Sequence, residues 1–372
     1  MYVLERGDVP KLPEALGLGS LTFPNIEVLP SGRWLLGFKA ADKKKDGIKM
    51  QAMMTWSDDF GKTWAAPYVP FQIPKINEVP GKSQSLYFLS LGGERVLMVI
   101  NWVDSSAPHL PYYDTQDESL KDTRIFYSFS ENNGLDWSIL QLMDTSMLGG
   151  PVPLTGPPMR LGDGSLICQF EINKYKSDPK KWVHRSALLF SGDEGKTWGD
   201  PVLVTNYPDM YYWDQRPNVL ADGYTLVNFF WTLDGRKNAY LNIHRSISRN
   251  GGRSWTYPED TGIYGQPGRP VEIMEGKLAT IDIDRTKNPT ITVRISSDEG
   301  RTFDEDLVVF QASLPQQDSR YIKMNDAWAE MAQFSVGHPH LVYLGKEELL
   351  AYFYQGRHPD HTGISYVKIS IK

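Results

Sequence analysis

Apolar and polar positions in this chain alternate in short runs, and the runs come in groups. The first group reads Ile26-Glu27-Val28-Leu29, a turn at Pro30-Ser31-Gly32, then Trp34-Leu35-Leu36-Gly37-Phe38, a polar loop from Ala40 to Gly47, and Met50 to Trp56. Short runs of this kind, bounded by Gly, Pro and Asp, predict antiparallel β-strands joined by tight turns. The grouping returns at Asn218-Val219-Leu220, a turn at Ala221-Asp222-Gly223, and Leu226-Val227-Asn228-Phe229-Phe230. It returns again at His340 to Leu344, a turn at Gly345-Lys346-Glu347, Leu349 to Phe353, and Ile364 to Ile371.

A second pattern closes five of the groups. Ser57-Asp58-Asp59-Phe60-Gly61-Lys62-Thr63-Trp64 has the form S-x-D-x-G-x-T-W, and related octads start at Ser130, Ser191, Ser248 and Ser296. Each residue type has a local job. Asp or Asn accepts bonds from turn amides, Gly supplies a positive φ, Ser or Thr caps the turn, and the closing aromatic packs between sheets. Self-similarity at this period is the mark of a repeat architecture. Five such units and a sixth without the octad predict an all-β, six-bladed β-propeller with four-stranded antiparallel blades, spanning residues 1–372 as one domain. Tyr2 to Leu4 is expected to supply the outer strand of the sixth blade, because closing the ring removes exposed edges.

The octad is the Asp-box, or BNR repeat, and the array resembles the sialidase superfamily over nearly the whole chain. In that family the boxes sit on the face opposite the active site, so the resemblance makes Asp59, Asp193 and Asp298 scaffold. The functional face then gathers the starts of the first strands and the loops between second and third strands. It also implies a site of three arginines, an acid/base aspartate, a glutamate and a nucleophilic tyrosine. Thr22-Phe23-Pro24 stands where the family carries Arg-Ile-Pro, so the first arginine is missing. Asp46 lies in the loop of the acid/base aspartate. Arg216 and Arg269 fall near the remaining arginines, with Arg216 also alignable to the glutamate. His338 stands in place of the tyrosine.

Composition narrows the alternatives. A formal net charge of −6 and no basic run beyond Lys43, Lys44 and Lys45 argue against a nucleic-acid surface. Those lysines read as a solvated loop tip. A single cysteine, Cys168, excludes an intrachain disulfide framework and a cysteine-built zinc site, and its neighbours Leu166, Ile167 and Phe170 predict burial. No stretch has the length of a membrane span, and Met1 to Leu12 has no signal-like apolar core, which makes a cytoplasmic protein the expectation. No cofactor or metal is expected; His338, His340, His358 and His361 lack an evident carboxylate partner.

Three functions fit this sequence. The first is a glycoside hydrolase acting on a terminal sugar, acidic sugars included. Its catalytic candidates are Asp46, Asp214 and His338, and Arg216, Arg269, Arg285, Trp213, Gln84, Glu171, Gln215 and Tyr354 are the candidates for holding a carbohydrate substrate. The second is a uronic-acid lyase in which His338 or Tyr212 abstracts a proton while arginine neutralises the carboxylate. The third is a propeller that binds glycans without turnover. The long Asp104 to Asp122 insertion, with His109, Tyr112 and Tyr113, forms either a wall of the pocket or a plain surface loop.

Overall fold

The computed structural model describes residues 1–45, 47–315 and 320–372. Six antiparallel sheets follow one another along the chain as the blades of a propeller. Blade one holds Ser20–Val28, Trp34–Ala41 and Met50–Ser57; blade two holds Gly81–Gly92, Arg95–Asp104, Thr123–Ser130 and Gln141–Leu142. Blade three is Met159–Arg160, Leu166–Ile172, Arg185–Ser191 and Gly199–Asn206, and blade four is Met210–Val219, Leu226–Asp234, Asn242–Ser248 and Glu259–Tyr264. Blade five runs from Gln266–Pro267 and Val271–Met274 through Lys277–Asp284 and Thr290–Ser296 to Glu305–Gln311. Blade six comprises Gly337–Gly345, Glu348–His358 and His361–Ser370.

The N-terminal strand closes the ring as expected, and it is longer than Tyr2 to Leu4. Tyr2–Asp8 pairs antiparallel with the last strand, from Tyr2 opposite Ser370 to Asp8 opposite Ser365. Blade one departs from four strands. Its outer edge is reduced to one bridge, in which Met54 and Tyr68 exchange both backbone bonds at 2.9 Å.

The core lies between the blades. Tyr87, Leu97 and Val99 of blade two meet Cys168 and Phe170 of blade three in one buried cluster, so Cys168 is packed and inert, its thiol pushed up by burial. The octads form the hairpins after each third strand. Ser57 Oγ donates to Asp59 Oδ1 at 2.9 Å and accepts the Gly61 N–H at 2.8 Å, while Thr63 donates both its N–H and its hydroxyl to Asp59. Asp193 and Asp298 repeat this pattern, and Asn132 and Asn250 repeat its backbone part. Two successive residues, not the glycine alone, take positive φ: Phe60 at 61° and Gly61 at 90°, Glu194 at 61° and Gly195 at 91°. Four closing tryptophans donate Nε1–H back to the carbonyl of the turn glycine at 2.9–3.1 Å.

One element was not expected. Met324–Met331 is an α-helix inserted before blade six. Its apolar residues Met324, Ala327, Trp328 and Met331 stand three and four apart, the spacing of one helical face.

Candidate functional site

Each third strand runs from the loop after the second strand to the octad hairpin, so the octads and those loops lie at opposite ends of the blades. At the loop end the innermost strands break register between Thr22 and Asn25, Ser83 and Leu86, Trp213 and Arg216, and Gly337 and His340. An extra residue in one strand of a pair re-aims side chains and ends regular pairing. Phe23, Asp214 and His338 take φ of 53°, 51° and 52° at these breaks, a conformation non-glycine residues rarely adopt. All three side chains turn into a cavity of about 470 Å³ on the propeller axis, which Gln84, Glu171, Trp213, Gln266, Arg285 and Tyr354 also line.

The acidic side of the cavity is a connected network. Glu171 Oε1 accepts the Asp214 N–H at 2.6 Å, and Gln266 Nε2 donates to Asp214 Oδ2 at 2.5 Å. Arg216, buried beneath the mouth, places Nη2 3.3 Å from Asp214 Oδ1 and donates to the Thr155 carbonyl. Gln266 passes the network on by accepting from Arg285 Nη2 at 2.9 Å. Burial pushes the Asp214 carboxyl above its ordinary range; Arg216 opposes this, Glu171 reinforces it, and Gln266 and Arg285 oppose it. A carboxyl so placed keeps its proton to higher pH than a surface aspartate.

The cationic side corrects the reading of the three lysines. Lys44 is no solvated tip: its ammonium donates to the Tyr354 hydroxyl at 3.1 Å, to the Met331 carbonyl at 2.8 Å and to the Phe334 carbonyl. All three of its protons are thus placed. Burial, together with Arg285 and Lys39, pulls its pKa well below the ordinary lysine value, with Asp360 opposing. Arg285 stacks on Phe334 with 4.1 Å from its guanidinium carbon to the ring centre, and Lys39 lies 5.7 Å over Phe23. Burial raises the Tyr354 and Tyr87 phenols to about 12, so both are neutral hydrogen-bonding groups.

His338 has its Nδ1 engaged by His340. The Arg269 N–H donates to His340 Nδ1 at 3.3 Å, which assigns the proton of His340 to Nε2. That nitrogen lies 2.9 Å from His338 Nδ1, so His338 accepts there and carries its own proton on Nε2. Burial, Arg216 and Lys44 hold the His338 pKa well below its ordinary value, against a bond with the Pro24 backbone, leaving a neutral ring without a free lone pair.

Of the residues singled out in the sequence, Asp214, His338, Arg285, Trp213, Gln84, Glu171 and Tyr354 meet at the cavity. Arg216 sits one layer below. Gln215 is fully buried and ties strands together through the Phe170 and Ala187 carbonyls at 2.8 and 3.1 Å. Arg269 lies apart, paired with Asn218 in a second cavity of about 170 Å³ with Glu27, His340 and Tyr352. Asp46 falls outside the described residues.

Two insertions wall the mouth. Tyr112 and Tyr113 of the 104–122 segment line the cavity, and Tyr113 stacks on Trp328 at 4.5 Å and 7° while its hydroxyl donates to Asn325 Oδ1 at 2.9 Å. His109 stays exposed on the same segment. Trp328, Phe334, Lys39 and Lys44 were not among the sequence candidates. The helical spacing of Met324, Ala327, Trp328 and Met331 was the available signal for that wall.

No protein-family model and no curated protein sequence matches the chain. Solved structures do. A protein of unknown function from Dyadobacter fermentans is similar at TM-score 0.74 and 19% identity, covering 100% of this chain and 99% of the other. A Hadza microbial sialidase matches at 0.66 and 15%, covering 95% and 66%, and the intramolecular trans-sialidase from Ruminococcus gnavus at 0.63 and 14%, covering 98% and 96%. The fold of this chain is therefore the six-bladed propeller that sialidases and trans-sialidases share.

Proposed function

We propose that this protein is a glycoside hydrolase that removes a terminal sugar, acidic sugars included, with Asp214 as the proton-donating acid. The observation that carries this reading is the placement of Asp214. It sits on a left-handed break in an inner strand, opens into the axial cavity, and is held by Gln266, Arg216 and Glu171 in surroundings that favour its protonated form. Glycoside cleavage uses paired carboxyl groups whose environments push their protonation apart, and Glu171, which accepts the Asp214 N–H, is the carboxylate of the cavity lining joined to Asp214. Lys39 and Arg285 on the opposite side favour a substrate with an anionic group, and Trp213, Trp231 and Trp328 offer apolar faces to a sugar ring. Sialidases among the structural neighbours act on such sugars, which supports the same substrate class here.

The lyase alternative needs a basic group at His338 or Tyr212: the bond from Arg269 to His340 directs the His340 proton onto His338 Nδ1, which engages the lone pair of that ring, and Tyr212 is packed among Leu188, Phe190 and Phe230, where burial pushes its phenol up. The test is turnover of aryl glycosides and acidic oligosaccharides, read by mass spectrometry and ultraviolet absorbance. A hydrated monosaccharide supports the hydrolase; an unsaturated sugar, or binding without turnover, overturns it.

A further inference from the structure

Behind Glu171 lies a buried imidazole without a hydrogen-bond partner. His184 directly precedes the third strand of blade three, its side chain is fully buried, and neither Nδ1 nor Nε2 has a hydrogen-bond partner. Buried polar groups in native proteins are almost always paired, and an exception beside a cavity-lining carboxylate calls for a reason. Trp182 and Tyr211 pack against the ring at 5.8 and 6.2 Å between centres, fixing its plane without satisfying its nitrogens. Glu171 Oε2 lies 3.8 Å from His184 Nε2.

Glu171 therefore stands between two groups. Its Oε1 accepts from the Asp214 backbone in the mouth, and its Oε2 faces His184 in the interior. A shift of less than an ångström turns the second approach into a charge-assisted hydrogen bond, and catalytic bonds commonly tighten only when substrate binds. Such a partner on the far side of a working carboxylate fixes both its orientation and its charge.

We propose that His184 is a positioning residue for Glu171, its Nε2–H donating to Glu171 Oε2 and fixing Glu171 as the charged member and Asp214 as the proton-carrying member of the carboxyl pair. The assignment of roles rests on the hydrolase reading; the coupling between the three residues does not. Other charged and titratable groups facing the pair are Arg216 and Arg285, which act on Asp214, and the Tyr112 phenol, whose ionisation Glu171 opposes.

The test uses the full chain without substrate. Nitrogen-15 NMR of labelled histidine reads the His184 tautomer, and carbon-13 NMR of labelled aspartate follows the Asp214 carboxyl through pH in wild type, His184→Phe and His184→Gln. The expected result is a proton on Nε2, an Asp214 midpoint that falls toward the ordinary aspartate range in His184→Phe, and recovery in His184→Gln, whose amide can donate from a similar place. A neutral ring protonated on Nδ1, or an unmoved Asp214 midpoint in a folded His184→Phe, overturns the proposal. Turnover of the glycoside panel is scored separately, so an inactive protein with the expected titration would discard the hydrolase and keep the coupling.

Discussion

The two ends of the propeller are built from opposite kinds of sequence. At the octad end five hairpins share the same backbone bond to an Asp or Asn, and Asp59, Asp193 and Asp298 are interchangeable parts. At the mouth the blades diverge: blades one, two, four, five and six place Phe23, Gln84, Asp214, Gln266 and His338 against the cavity. The repeated end satisfies local backbone groups one hairpin at a time. The unrepeated end satisfies groups from distant parts of the chain, as when Lys44 reaches the carbonyls of Met331 and Phe334. Repetition marks where the chain is held together, and its loss marks where chemistry can be placed.

Substitutions should separate the two ends. The largest effect is expected from Asp214→Asn, which keeps the shape of the carboxyl and removes its proton: turnover should fall by about 10²- to 10⁴-fold with the melting temperature little changed. An octad glycine should do the reverse. Gly300 has φ of 82°, and a Cβ there would come within 2.4 Å of Phe229 Cζ, so Gly300→Ala should destabilise the fold by about 2 kcal/mol or more while activity per folded molecule is kept. Denaturant unfolding and active-site titration would read the two quantities apart.

Asp193 offers a finer cut. Asp193→Ala should cost about 1–2 kcal/mol through lost turn bonds. Asp193→Asn should cost less, because Asn132 and Asn250 already serve in two copies. Acid should reveal the charge. Burial pushes the Asp193 carboxyl up, but bonds from Thr197, Ser191 and Lys196 outweigh it and hold the group at about 2. Its stabilising contribution is therefore full above the unfolded value of about 3.9 and is lost as pH falls toward 2. Asp282 behaves oppositely: burial raises it to about 6 against Arg294, so its contribution is full below about 3.9 and is lost as pH rises through 6. Urea midpoints against pH should thus show a flattened acid limb in Asp193→Asn and a smaller loss between pH 4 and 6 in Asp282→Asn. The smallest effect is expected at Trp328. Removing its stack on Tyr113 should weaken substrate binding more than it slows turnover, seen as a raised KM with kcat kept.

The octads made the blade order legible from sequence, since a bond pattern closed within eight residues leaves its trace within eight residues. The gathering of Asp214, Arg285, Glu171 and His338 followed from topology once the strand order was known. Blade one's missing outer strand did not, because Tyr68 bridges through backbone atoms that any residue carries. Lys44 was misread for a related reason: in sequence it belongs to a charged run, and only carbonyls almost three hundred residues away make its burial tolerable. The helix at Met324–Met331 leaves its trace in the three- and four-residue spacing of Met324, Ala327, Trp328 and Met331, a single short period amid strands. The bond between His338 and His340 joins residues two apart in sequence, but its direction depends on the Arg269 N–H from another blade.

The contrast between the two ends is tested most directly by one assay: turnover of a panel of aryl glycosides and acidic oligosaccharides by wild type, Asp214→Asn and Asp193→Asn, each checked for folding. The account predicts release of a hydrated terminal sugar by wild type and Asp193→Asn and near-complete loss in Asp214→Asn. Equal turnover by wild type and Asp214→Asn would contradict it.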